Sequence, residues 1–424
     1  MSPRLRTVLG LVLLASVVAV WFGLRAGDTD VAKIGDSSQH PSVDGKGPLL
    51  LADSKDCREC HELVYDEWKG SHHEFAWRNP EPRRKDLSDN FKNKDCIPCH
   101  APRPLIEVGW GARALERQTR RDDGVNCFTC HRYKNVVAAP HELTSAAADA
   151  PCNPVTWAPI RTMTLCAPCH DQHKVNQDWL QTRYAADGPD KKDCNDCHMP
   201  ITPGAGTKGG NRSDHRGHGF PGGHDPDFLK TSATLRARFV PPDEDWMGAV
   251  TDLTGRNDLP RFERGSSLQG KPLLLIEVKN TGVGHNLPAD ERHRAVDLEI
   301  QLEDRGSIVM PELRLARFRN PYRSEFDAVN PFTDHALEVI PLDAKNEDIT
   351  LLTHQVRVPP DFRPVRKVYY PKSTQLVAGE SRLVWMALPR SGRRLRLRLY
   401  YKLNPYLAND RAVVINERWL DVPH

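Results

Sequence analysis

Five copies of C-x-x-C-H constrain this chain more than any other feature. They comprise Cys57, Cys60 and His61; Cys96, Cys99 and His100; Cys127, Cys130 and His131; Cys166, Cys169 and His170; and Cys194, Cys197 and His198. Ten of the eleven cysteines are used in this way. In a helical turn, residues i, i+3 and i+4 share a face. Two thiols can then form thioethers to the vinyl groups of one haem while the following histidine reaches its iron. Zinc sites use paired C-x-x-C elements but need no histidine after each second cysteine. A dithiol redox motif needs none either. The expected cofactor is covalently bound haem c, one per motif and five in all.

The spacing of the motifs sets the architecture. Successive motif histidines are 39, 31, 39 and 28 residues apart. Such intervals are too short to bury a haem each, so the haems are expected to pack on one another under a thin shell of protein. Residues 50–224 therefore read as a mainly α and irregular multihaem domain, with short helices after some motifs, for example over 61–77. No cysteine follows Cys197, the sharpest change of composition along the chain. Residues 225–264 read as a turn-rich linker with a short helix over 227–239. From Leu273 the pattern turns to period two, in LLLIEVKN, AVDLEIQLED, LVWMALP and RLRLRLYYKL, as strands do. Residues 265–424 read as an all-β sandwich without a haem motif.

The N-terminal segment reads as one that directs export. Residues 8–24 are uninterrupted and apolar, and Arg4 and Arg6 precede them. That is the layout of an export signal, either cleaved or retained as an anchor helix, over residues 1–26. The basic flank stays in the cytoplasm and the remainder is exported, where haem c is attached. Residues 27–49 read as a tether, with His40 solvated. The net charge of +3 argues against nucleic acid as a partner. The basic run Arg83, Arg84 and Lys85 reads as a solvated face or as a partner for haem propionates.

Thirteen histidines remain to supply second iron ligands. Over a helix, His61 and His73 would lie roughly 18 Å apart, so His73 is expected to serve a different haem from the one attached by Cys57 and Cys60. His72 is its neighbour, and only one of the two is expected to point inward. His215, His218 and His224 sit in a glycine-rich loop whose backbone can approach a ligand closely. His141 follows the third motif, and His285 ends a strand in GVGHNLP. His173, His293, His335, His354 and His424 read as packed or solvated. Cys152, in APCNP, reads as a packed thiol.

The chain resembles the multihaem cytochrome c-552/4 family. The likeness is carried by CRECHELVYDEWKGSHH, with Trp68, Ser71 and His73 in W-x-x-S-x-H, and by GVNCFTCH, DCNDCHMP, HGFPGGHD and VKNTGVGHNLP. The resemblance implies that His73 rather than His72 is a distal ligand. It also implies distal roles for His141, for His218 or His215, and for His224. Where the family often has GHxLPTG, this chain has GHNLPAD. Related ammonia-forming nitrite reductases carry a C-x-x-C-K motif, and this chain has none. The reading favours an exported electron carrier with mostly bis-histidine haems and redox proteins as partners. The alternative is a multihaem oxidoreductase with one open iron acting on a small nitrogen or sulfur compound.

Overall fold

The computed structural model describes residues 36, 38–78, 96–148, 150–171, 174–289, 294–320, 337–339, 351–361, 373–388 and 393–423. The apolar run 8–24 lies outside them, as do Arg83, Arg84, Lys85, His173, His293, His335 and His424. Among the described residues no helix is long and apolar enough to cross a membrane.

The motif-bearing region is built from short pieces. Helix Glu62–Lys69 follows the first motif, and the other motif helices span only four or five residues. The helix expected over 61–77 stops at Gly70, and turns continue to Arg78. Ser71 is buried there, and its hydroxyl accepts from the Glu74 amide at 3.3 Å, competing with helical continuation. Strands β1 (Arg132–Tyr133), β2 (Val136–Ala139) and β3 (Pro154–Thr156) form a small sheet, and β4 (Ile201–Pro203) pairs with β5 (Asp214–Arg216). Their modest apolar core gathers Ile106, Trp110, Tyr133, Val136, Ala138, Trp157 and Ile160. The stretch read as a tether is docked on this region from His40 onward. His40 is exposed but stacks on Tyr133, and Asn135 donates to the carbonyls of Lys46 and Gly47 at 2.9 and 2.8 Å.

The C-terminal region is the expected sandwich, but it begins earlier. Residues 233–240, read as part of a helical linker, are strand β6 (Ala233–Val240); the helix there is only Pro226–Leu229. The sequence ATLRARFV alternates, and its arginines belong to a sheet edge, where charge discourages further pairing. The remaining strands are β7 (Leu273–Asn280), β8 (Ala295–Asp304), β9 (Ser307–Phe318), β10 (Leu337–Val339), β11 (Leu351–Val358), β12 (Ser381–Ala387), β13 (Arg394–Lys402) and β14 (Val413–Asp421). One antiparallel sheet runs β10-β11-β12-β7-β6 and the other β14-β13-β8-β9. Arg305 and Gly306, with φ of 49° and 82°, turn β8 into β9, the positive dihedrals a two-residue hairpin needs.

The two sheets bury Leu274, Ile276, Val278, Leu298, Ile300 and Leu397 between them. Helix Trp246–Thr254, capped by Asp245, covers the other face of β7 and packs with Leu273, Leu275, Leu383 and Trp385. Both faces of β7 are thus apolar, which explains the near-continuous run LLLIEV. Each fully buried Leu or Ile contributes about 1.5–3 kcal/mol.

Candidate haem-binding site

Each C-x-x-C-H motif forms one helical turn. The His61 amide donates to the Cys57 carbonyl at 2.9 Å, His100 to Cys96 at 3.2 Å and His170 to Cys166 at 3.1 Å. Side chains start these turns: Asn126 and Thr129 form a capping box for the third motif, and Asp193 and Asp196 for the fifth. The histidines are then aimed by backbone carbonyls. Nδ1 of His61, His100, His131 and His198 lies 2.7, 2.7, 2.9 and 2.7 Å from the carbonyl oxygens of Gly206, Ala76, Ala138 and Pro221. A carbonyl only accepts, so Nδ1 carries the proton in each ring and Nε2 presents its lone pair.

One continuous cavity of about 2150 Å³ is lined by cysteine and histidine from all five motifs. Histidines from elsewhere enter it and face three of the motif rings. Ring centroids are 6.3 Å apart for His170 and His73, 6.4 Å for His131 and His218, and 6.4 Å for His198 and His285. A metal sits about 2 Å from an imidazole nitrogen. Two imidazoles on one iron therefore place their centroids a little over about 6 Å apart. The donor set and the spacing fit haem iron. Burial pushes His73 down to about 3 and His218 and His285 down to about 4, so all three are neutral at pH 7.

The second-ring histidines are held by defined local structure. Trp68 Nε1 donates to the Val125 carbonyl at 2.9 Å, and the Val125 amide donates to the His73 carbonyl at 2.9 Å. A Cβ on Gly124, at φ 57°, would come within 2.5 Å of the His73 carbonyl oxygen, so only glycine lets this strand of backbone pass. His218 donates through Nδ1 to Arg216 at 2.7 Å, and His285 to Asn286 at 3.0 Å. The buried Asn280 side chain donates to the His285 carbonyl at 3.0 Å and accepts from Val283 at 3.2 Å. A Cβ on Gly282 would meet the Thr231 carbonyl at 1.9 Å, which explains a glycine in GVGHNLP. His285 thereby reaches from the β region across to His198.

The other expected ligands are placed differently. His215 presents Nδ1 to the Gly204 carbonyl at 2.8 Å and Nε2 to Glu67 at 3.1 Å, so both its ring nitrogens face oxygen acceptors rather than an iron. His224 stacks on His72 with centroids 3.9 Å apart, too close for an iron between them, and Arg294 donates to its Nε2 at 3.3 Å. His141 lines the cavity; its partial burial and the charges of Arg212, Arg161 and Arg216 hold it below the usual histidine range. His72 and His73 both line the cavity, although only one was expected to point inward. Cys152 is half-buried on the cavity wall. Three residues of the site escape sequence reading. Asn280 and Glu67 look like ordinary polar positions. Phe220, at φ 50°, sits 4.2 Å from His73 and 5.7 Å from His218 by ring centroid, a strained residue wedged beside both rings.

Comparison with known proteins agrees with this site. Residues 56–132 match the family described as "Cytochrome c554 and c-prime". No curated protein matches the chain. The fold is similar to that of a penta-heme cytochrome c552 from Thermochromatium tepidum, with a TM-score of 0.52 and 17% identity, covering 89% of this chain and 100% of that one. At that identity the likeness is one of fold. The repeated attachment motifs, the matched segment and this fold together make the chain similar to multihaem c-type cytochromes.

Proposed function

We propose that the chain binds five haem c groups and passes electrons through them as an exported, extracytoplasmic carrier. The observation that carries the reading is the three facing histidine pairs inside one cavity lined by all five motifs. Haem iron, when bound, supplies a centre that cycles between ferric and ferrous. The protein's part would be to hold three of the irons between two imidazoles each, so that ligation is the same in both oxidation states. His73, His218 and His285 are the distal ligands in this reading.

The motif cysteines suggest a route. Cys57 and Cys127, Cys99 and Cys169, and Cys166 and Cys194 are close enough to influence one another's thiols. First and third, second and fourth, and fourth and fifth motifs are thus neighbours. His73, facing the fourth motif, and His218, facing the third, are close enough to influence each other's charge. The path runs from first to third to fourth to fifth, with the second joined at the fourth. Cys60 and Cys197, on the first and fifth motifs, are exposed, and these ends are where electrons enter and leave. Redox proteins are the partners, and residues 8–24 tether the molecule to the membrane or direct its export.

The test is the matured protein. Its intact mass is expected to exceed that of the chain by five haem units after denaturation, and the three haems between the facing histidine pairs are expected to be six-coordinate. Stoichiometric carbon monoxide binding at one haem, with turnover of nitrite, hydroxylamine or a sulfur oxyanion, would replace the carrier by the enzyme reading.

A further inference from the structure

Helix Glu62–Lys69 and the β4-β5 hairpin brace each other across the first and third motifs. His61 stands at the N-terminal end of this helix, and its Nδ1 donates to Gly206 in the hairpin loop at 2.7 Å. From the same helix Glu67 reaches back to the end of β5. One carboxylate oxygen accepts from the His218 amide at 2.7 Å, and the other lies 3.1 Å from His215 Nε2. His215, 8% exposed, donates through Nδ1 to Gly204. Gly217 allows the approach: a Cβ there would come 2.9 Å from Thr202 Oγ1 and 3.3 Å from the Pro200 carbonyl. Two-point anchoring by one carboxylate fixes both position and twist of the backbone that carries His218.

We propose that Glu67 is a positioning residue that holds His218 on the iron of the third haem from the helix of the first, with the buried His215 ring packed against the carboxylate. This rests on the reading of His218 as a distal ligand and adds the group that sets its geometry. Glu67 does not touch an iron or a reacting atom. It acts through the His218 amide, and it makes the first and third attachment sites one mechanical unit. His215 then belongs to the site as a support.

The experiment uses the matured full chain and three variants, read by electron paramagnetic resonance and by redox titration of each haem. His218→Ala identifies the signal of the third haem, which turns high-spin. Glu67→Ala is expected to shift that same signal and its midpoint potential, with partial high-spin character, and to leave the other haems unchanged. Glu67→Gln keeps an oxygen acceptor for the His218 amide and is expected to restore the low-spin signal. A Glu67→Ala protein that is less heat-stable but has unaltered g-values and potentials would overturn the proposal, leaving Glu67 a purely structural residue. An all-low-spin His218→Ala protein would overturn the ligand reading itself and the proposal with it.

Discussion

The two halves of this molecule solve the problem of a core in opposite ways. The sandwich buries its own side chains: Leu274, Ile276, Val296, Leu298, Ile300 and Leu397 are all fully inaccessible to water. The motif region wraps its chain around a cavity of about 2150 Å³ instead, and among its described residues the apolar cluster is small. Its helices of four to eight residues are far below the length that is stable alone, roughly 12–15 residues. Long paired strands let one region fold from sequence alone. The other is expected to need a covalent cofactor to complete it.

The largest test of that contrast withholds the cofactor. In the full chain produced without haem attachment, amide exchange protection is expected to vanish from residues 50–224 and to persist in β7, β8, β12 and β13. A motif region that stays protected without haem would break the comparison. The reciprocal test weakens the sandwich. Leu298→Ala should cost about 2–5 kcal/mol in the unfolding transition of the β region, with the low-spin haem spectrum intact below that transition. Loss of the haem spectrum at the same temperature would show one cooperative unit.

The boundary between the halves is sharpened by His285, which comes from the sandwich and faces His198. His285→Ala is expected to make one haem high-spin, raise its affinity for carbon monoxide and loosen the interface, seen as faster exchange in residues 281–288. An unchanged spectrum would leave His285 a strand-end residue. Asn280 acts one step behind it. Asn280→Ala removes bonds to His285, Leu376 and Val283, leaves buried groups unpaired, and should destabilise the β region by about 1–3 kcal/mol.

The smallest effect is a pH dependence confined to the sandwich. Burial, with Asp297 alongside, pushes Glu299 up to about 7, although Lys402 pulls the other way. The folded-state value is above the unfolded one of about 4.3, so this group's stabilisation is fully present below about 4.3 and is lost as pH rises through about 7. Asp297 runs the other way. Burial would raise it, but Arg317 at 2.6 Å outweighs that and holds it low, so its contribution is lost only in acid. Glu299→Gln is expected to flatten the fall in the β-region melting temperature between pH 5 and 8. An unaltered slope would assign that fall to other groups.

What sequence could reveal follows from how local each feature is. The attachment motifs were legible because two thioethers and an iron bond must fit within five residues of one turn. The sandwich strands were legible because period two survives wherever one face is buried. Ala233–Val240 was misread as helix although Leu235, Ala237 and Phe239 alternate with Arg236 and Arg238, because it follows directly on the short helix Pro226–Leu229. The distal ligands depend on tertiary approach. His73 and His218 were legible as candidates, but nothing in GGNRSDHRGHGF distinguishes His218 from His215, whose ring is intercepted by a glutamate 148 residues earlier in the chain. Phe220 and Asn280 lie within HGFPGGHD and VKNTGVGHNLP, but those motifs give them no role, because their roles exist only once two segments meet.

The central claim is that irons lie between His131 and His218, His170 and His73, and His198 and His285. Anomalous diffraction at the iron edge from crystals of the matured protein tests it directly. Five iron peaks are expected, three of them midway between those ring pairs. A peak displaced from any of the three midpoints, with His73, His218 or His285 turned away from it, would contradict the account.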